Sequence, residues 1–157
     1  MLVCKGNIIR SPFAENWIRQ RGALSQEIHV RSRGTERYHE GKGAHLIALA
    51  VATEFGVDLS LHVAHQVSES DVLWADLVLA FDLLNVERLV SMFSPKTTPF
   101  RLELIGHYLS PQRENVMDPV FGPPTQFRES FRSIRDACVT FLDRERLVGR
   151  TGEEHNL

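Results

Sequence analysis

Cys4 and Arg10 stand at the two ends of the run Cys4-Lys5-Gly6-Asn7-Ile8-Ile9-Arg10-Ser11. Glycine and asparagine best tolerate left-handed backbone angles. A loop holding Gly6 and Asn7 side by side can curl until successive backbone N–H groups turn inward and form an anion nest. Ser11-Pro12 reads as a helix start, a capping hydroxyl followed by a first-turn proline. The positive end of that helix would face the same nest. Such surroundings favour the thiolate, the form of cysteine that attacks. Arg10 offers a planar fork for two oxygens of a tetrahedral oxyanion, and Ser11 can donate a hydrogen bond to sulfur. Together these residue types describe a nucleophile inside a phosphate-sized cradle. Most free cysteines are small buried hydrophobes. Cys4 differs in having a strand before it, Gly-Asn beside it and a proline-started helix behind it.

The elements around this loop follow from periodicity. Leu2 to Cys4 is a short apolar run that stops at Gly6-Asn7. Phe13, Ala14, Trp17 and Ile18 share one helical face, and Gly22 ends that helix. The run from Ile28 to Arg33 predicts a second strand. Lys42 to Phe55 predicts a helix stopped by Gly56. Ser68 and Asp71 form a capping-box-like start for a short helix to Trp74. Asp76 to Phe81 is almost continuously apolar, as in a parallel strand covered on both faces. A helix over Leu83 to Met92, a strand over Arg101 to Ile105 and a long helix over Pro124 to Arg146 complete the series. The last helix carries Phe127, Phe131, Ile134, Cys138 and either Phe141 or Leu142 on its buried stripe. Strands alternating with helices imply an α/β fold, a parallel sheet with helices on both faces. Ligands bind such sheets beyond the carboxyl ends of the strands, where the first βα loop places Cys4.

With 157 residues the chain is expected to form one domain, over 1–148, with a polar, frayed tail over 149–157. Eighteen basic and twenty acidic residues leave a formal net charge of -2, against the basic excess of a general nucleic-acid binder. No apolar run reaches membrane-span length, and Met1 to Arg10 lacks the features of a secretory signal. The expectation is a cytoplasmic protein with no membrane insertion. Two cysteines, Cys4 and Cys138, make neither a disulfide framework nor a zinc cluster. The six histidines other than His62 (His29, His39, His45, His65, His107 and His155) show no ligand spacing, so no metal and no cofactor is expected.

The segment VCKGNIIRSPFAE resembles the active-site loop of the low-molecular-weight protein tyrosine phosphatases, and the likeness extends over roughly Leu2 to Leu147. Ser32 and Gly34-Thr35 resemble the family's Ser-x-Gly-Thr turn, His62-Val-Ala-His-Gln66 its His-x-Ala-Arg-Gln segment, Phe81-Asp82 its Met-Asp, and Asp118-Pro119 its Asp-Pro loop. The resemblance implies four parallel strands in the order 2-1-3-4 and phosphoryl transfer through a cysteinyl-phosphate. Cys4 would be the nucleophile and Arg10 the phosphate clamp. The phosphate would lie against the loop formed by Lys5, Gly6, Asn7, Ile8, Ile9, Arg10 and Ser11. A phenolate leaves with a pKa of about 10, so an acid should protonate it; Asp118 is the candidate, and would then act as base toward water. Ser32 and His62 would support Asn7. Tyr38 and Phe121 would wall the substrate pocket. The implied partner is a tyrosine-phosphorylated protein, a bacterial tyrosine kinase being one candidate.

Four departures stand out. Three residues precede Cys4, so the first strand is expected to be short. Ile9 replaces a second loop cysteine found in many members. Val120 stands where an aromatic follows Asp-Pro, and His65 where the family has arginine. Ile8 occupies a position that is usually threonine in the arginine-phosphatase branch, which favours phosphotyrosine. Three alternatives remain: arsenate reduction on the same fold, which needs further cysteines, a weakly active phosphate-binding module, and a general phosphatase of low specificity.

Overall fold

The computed structural model describes residues 1–22, 28–93 and 100–153. Four parallel strands, β1 (Leu2–Cys4), β2 (Ser32–Gly34), β3 (Val78–Ala80) and β4 (Leu102–Leu104), lie in the order β2-β1-β3-β4. This is the expected 2-1-3-4 sheet. Leu2 pairs with Ser32 on one side and Leu79 on the other, and Val78 pairs with Leu102. β1 is assigned three residues, as are its three neighbours.

Alternation along the strands sends side chains to opposite faces. Leu2, Cys4, Leu79 and Phe81 join one core with Phe13, Ala48, Val51, Phe127, Phe131 and Ile134. These come from α1 (Arg10–Gly22), α2 (Leu46–Thr53) and α5 (Pro124–Glu153). Val3, Val78, Ala80 and Leu104 join a second core with Val72 and Leu89, from α3 (Glu69–Trp74) and α4 (Leu83–Met92). Helices therefore cover both faces. Phe131 of α5 stacks on Phe13 of α1, with centroids 3.9 Å apart and planes 6° apart, so the last helix is fixed to the helix that carries Arg10.

α4 matches its expected bounds, and Ser68 and Asp71 close a full capping box at α3. Elsewhere the expectations need correction. α1 begins at Arg10, so Ser11 is not its N-cap and is free to turn toward Cys4. β2 covers Ser32–Gly34 and not Ile28 to Arg33; alternation alone did not mark where pairing with β1 begins. α2 starts at Leu46 behind an N-capping His45, four residues later than expected. The four residues before Leu46 serve another purpose: Lys42 and His45 bond to Ala64 and Ile8. Ile105 opens a 3-10 turn, Ile105–Tyr108, that periodicity did not show. α5 runs to Glu153, past Arg146 and into the segment expected to fray. Arg and Glu are good helix formers, so polarity there did not signal an end. Residues 154–157 of that tail lie outside the described residues. No helix among the described residues is long and apolar enough to cross a membrane.

Candidate active site

The direction of the strand order reverses at β1 and β3, the position at which open α/β sheets bind ligands. The loop following Cys4 closes over that point. Its carbonyls are drawn outward one after another. Thr35 N–H donates to the carbonyl of Cys4, Glu36 N–H to that of Lys5, His45 N–H to that of Ile8 and Phe13 N–H to that of Ile9, at 2.9 to 3.3 Å. His62 Nε2 donates to the carbonyl of Asn7 at 2.6 Å. Among the described residues, the N–H groups of Gly6, Asn7, Ile8 and Ile9 have no acceptor in the chain. With the carbonyls held outside, these donors are left for an anion.

Asn7 takes the left-handed conformation, φ 54°, as Gly-Asn implied. Its side chain is buried and fully engaged. Nδ2 donates to Ser11 Oγ and Ser32 Oγ, both at 2.9 Å, and Oδ1 accepts from His65 N–H at 2.9 Å. Ser32 Oγ donates in turn to Glu15. Ser11 Oγ lies 3.0 Å from Cys4 Sγ. Burial lowers the pKa of His62, and its bond to the Asn7 carbonyl opposes that only in part. The loop is thus anchored from β2, α1 and the segment before α3. Gly34 must be glycine-sized here, because a Cβ would meet Lys5 O at 2.9 Å and Asn7 N at 3.1 Å.

Arg10 is 1% exposed. Nη1 donates to Asp82 Oδ2 at 2.7 Å and to the Val116 carbonyl at 3.0 Å, and Nη2 to Asp118 Oδ2 at 2.6 Å. Burial would lower its pKa, but the charges of Cys4, Asp118 and Asp82 outweigh it and the pKa is raised. Asp118 Oδ1 also accepts from Val120 N–H at 3.3 Å, so the residue closes an Asx turn and faces Arg10 at once. The segment carrying it is tied down by Val116 N–H to the Phe81 carbonyl and by Ser130 Oγ to the Met117 carbonyl.

One cavity of about 730 Å³ lies over this floor. Cys4, Lys5, Gly6, Ile8, Ile9, Arg10 and Asp118 line it, with Tyr38, Val120 and Phe121 on its walls. Asn7, Ser11, Ser32 and His62 are not in the lining; they lie behind the loop and hold it. Phe121 is fully exposed, so its wall of the pocket is open. Cys138 sits wholly buried on α5, its thiol pushed up by burial. Sequence names Asp82 in its Phe81-Asp82 match but gives it no role, and it marks neither Glu15 nor His45 as part of the site. Asp82 carried a readable signal, a carboxylate ending an apolar parallel strand and starting a helix. Its pairing with Arg10 depends on strand order and was not readable.

The family model described as low molecular weight phosphotyrosine protein phosphatase matches residues 1–151. The chain belongs to that family. A Drosophila melanogaster protein named low molecular weight phosphotyrosine protein phosphatase 2 is 34% identical over 152 residues, 94% of this chain and 92% of that one. Among solved structures, Vibrio vulnificus Wzb in complex with benzylphosphonate aligns with TM-score 0.81 at 25% identity, over 91% of this chain and 95% of its own. A Drosophila arginine phosphatase aligns with TM-score 0.81 at 24% identity, over 92% and 95% of the two chains; that likeness concerns the fold. This member is thus one of the protein tyrosine phosphatases, and its Phe81-Asp82 and Asp118-Pro119 meet at one arginine.

Proposed function

We propose that this phosphatase hydrolyses phosphotyrosine in proteins through a cysteinyl-phosphate. The observation that carries the reading is the convergence of Cys4, four free loop N–H groups and the Arg10–Asp118 pair on one cavity floor. Cys4, as thiolate, attacks phosphorus in line and forms the S–P bond as the P–O bond to the phenol breaks. Loop N–H groups and Arg10 hold the equatorial oxygens and their growing charge. Asp82 and Val116 keep Nη1 turned away, while Nη2 exchanges Asp118 for a phosphate oxygen. Asp118, entering as the carboxylic acid, gives its proton to the leaving oxygen. As carboxylate it then takes a proton from the water that attacks phosphorus. The S–P bond breaks, releasing phosphate and restoring the thiolate. Tyr38 stands beside the phenyl ring, and Phe121 lies across an open mouth.

Support for an aryl substrate comes from the benzylphosphonate held by Wzb. Isoleucine at position 8 favours phosphotyrosine over phosphoarginine. Nothing favours arsenate reduction, since Cys138 is buried in α5 and no third cysteine exists. A cytoplasmic setting and a tyrosine kinase as substrate belong to the same proposal.

The test is turnover of phosphotyrosyl, phosphoseryl and phosphoarginyl peptides side by side, with p-nitrophenyl phosphate at mildly acidic pH as reference. Phosphotyrosine is expected to be fastest, vanadate to inhibit, and Cys4→Ser to be inactive. Full activity in Cys4→Ser would refute the mechanism, and faster phosphoarginine turnover would refute the substrate. Asp118→Ala should slow phenyl phosphates more than esters with better leaving groups.

A further inference from the structure

The catalytic cavity does not end at the phosphate cradle. Its lining continues along α4 through Leu84, Glu87, Arg88 and Ser91. That spacing keeps to one face of the helix, and from Leu84 to Ser91 it extends about 10 Å. The opposite wall is the segment after β2, where Glu36 and Tyr38 stand. Glu36 N–H is bonded to the Lys5 carbonyl at 3.0 Å, so this wall is tied to the phosphate loop itself. Arg88 reaches across from α4 to Glu36, Nε to Oε1 at 3.3 Å. The cavity is therefore a groove with its phosphate floor at one end.

Three apolar side chains stand open around this groove: Tyr38 at 54% exposure, Leu84 at 72% and Phe121 at 100%. Single exposed apolar residues are ordinary, but a cluster at the mouth of a binding cavity marks a contact surface. Leu84 is the informative one. It is at the second position of α4, two residues after Asp82, which both caps the helix through Asn85 N–H and holds Arg10. Its backbone is thus fixed relative to the phosphate clamp, so its side chain can measure a set distance from the phosphorus.

We propose that the α4 side of the groove seats the polypeptide flanking the phosphotyrosine, with Leu84 as the specificity-determining residue for an apolar side chain next to it. The occupant follows from continuity. The cavity that holds Cys4 is continuous with Leu84, so a chain with its phosphate at Cys4 that follows α4 passes this side chain, and an apolar neighbour there covers surface that otherwise faces water. The Arg88–Glu36 pair limits the groove farther out. This deepens the phosphotyrosine reading and rests on it.

Steady-state kinetics on phosphotyrosyl peptides carrying leucine at each neighbouring position in turn, against a glycine-flanked parent, test the proposal. The wild-type enzyme is expected to prefer one leucine-bearing peptide by about tenfold in kcat/KM, equivalent to about 1.4 kcal/mol. Leu84→Ala and Leu84→Ser should each erase most of that preference through KM. Both should leave p-nitrophenyl phosphate turnover unchanged, since that ester carries no flanking polypeptide to rest on Leu84. Leu84 is exposed, so neither variant should impair folding. No preference in the wild type, or a preference retained by both variants, overturns the groove while leaving the phosphotyrosine reading intact. An equal loss on p-nitrophenyl phosphate also overturns it, because Leu84 would then act on the cradle itself. Failure to turn over any phosphotyrosyl peptide while p-nitrophenyl phosphate is hydrolysed overturns both readings together.

Discussion

Asn7 is the residue on which the cradle's shape depends. A non-glycine residue at φ 54° is held against its preference, and the anchors are its bonds to Ser11, Ser32, His65 and His62. Backbone angle and side-chain anchoring can be separated. Asn7→Gly keeps the angle accessible and loses the side-chain bonds, whereas Asn7→Ala loses both. We expect kcat on p-nitrophenyl phosphate to fall in both, and about tenfold further in Ala than in Gly, from a left-handed penalty of about 1–2 kcal/mol. Equal losses would show that the side chain alone matters. Cys4 carries a second prediction at this scale. Ile9 supplies no partner thiol, and Cys138 is wholly buried in α5, so a sulfenic acid at Cys4 meets no exposed cysteine to trap it. Excess peroxide should therefore cause a loss that dithiothreitol does not reverse, with sulfinic or sulfonic acid at Cys4 by mass spectrometry. Ile9→Cys should restore recovery; full recovery in the wild type would contradict this.

Among the elements, α4 joins the sheet to the chemistry through one side chain. Asp82 Oδ1 accepts from Asn85 N–H at 2.8 Å as the helix cap, while Oδ2 accepts from Arg10. Asparagine caps a helix as well as aspartate does but carries no charge. Asp82→Asn should therefore keep the urea midpoint near wild type and lower kcat/KM about tenfold or more, as expected for a lost charge-assisted bond. Asp82→Ala should lose activity similarly and also about 1 kcal/mol of stability. An active Asp82→Asn would leave the residue with its cap alone. The same helix shows what the sequence reveals. Its ends were readable because Asp82 follows an apolar strand and Leu83 to Met92 keep one period. Periodicity predicts helix from Lys42 to His45 because composition does not show that this backbone is needed at Ala64 and Ile8. β2 is shorter than its pattern predicts for the converse reason, since Ile28 to Val30 alternate but lie outside the paired residues Ser32–Gly34. The nucleophile, the clamp and Asn7 were legible because they lie within one short loop. The bonds that Asp82, Glu15 and His45 make to that loop and its supports were not, because only the folded sheet brings them there.

At the scale of the whole molecule, His62 and Asp71 answer acid in separate windows. His62 is kept neutral by burial, which lowers its pKa beneath the ordinary 6.5 despite the opposing bond to the Asn7 carbonyl. The unfolded chain then binds a proton near pH 6.5 that the folded chain refuses. Stability must fall as pH drops from 6.5 toward the folded value. Asp71 responds differently. Burial pushes its pKa up, but Arg33 and Ser68 more than reverse this and hold it below 3.8. Its contribution is full above 3.8 and disappears only as pH falls through that lower folded value. Urea midpoints should therefore decline between pH 7 and 5 through His62, with His39 adding to the slope, since burial and then Lys42 and His45 lower its pKa too. A second decline, in stronger acid, includes Asp71 among the carboxylates held low. His62→Gln should flatten the first decline without removing it, and Asp71→Asn should leave the first intact while flattening the second. The first window also touches activity, because the imidazole that resists protonation is the one bonded to the carbonyl of Asn7. An unchanged slope between pH 7 and 5 in His62→Gln would place the acid sensitivity elsewhere in the fold.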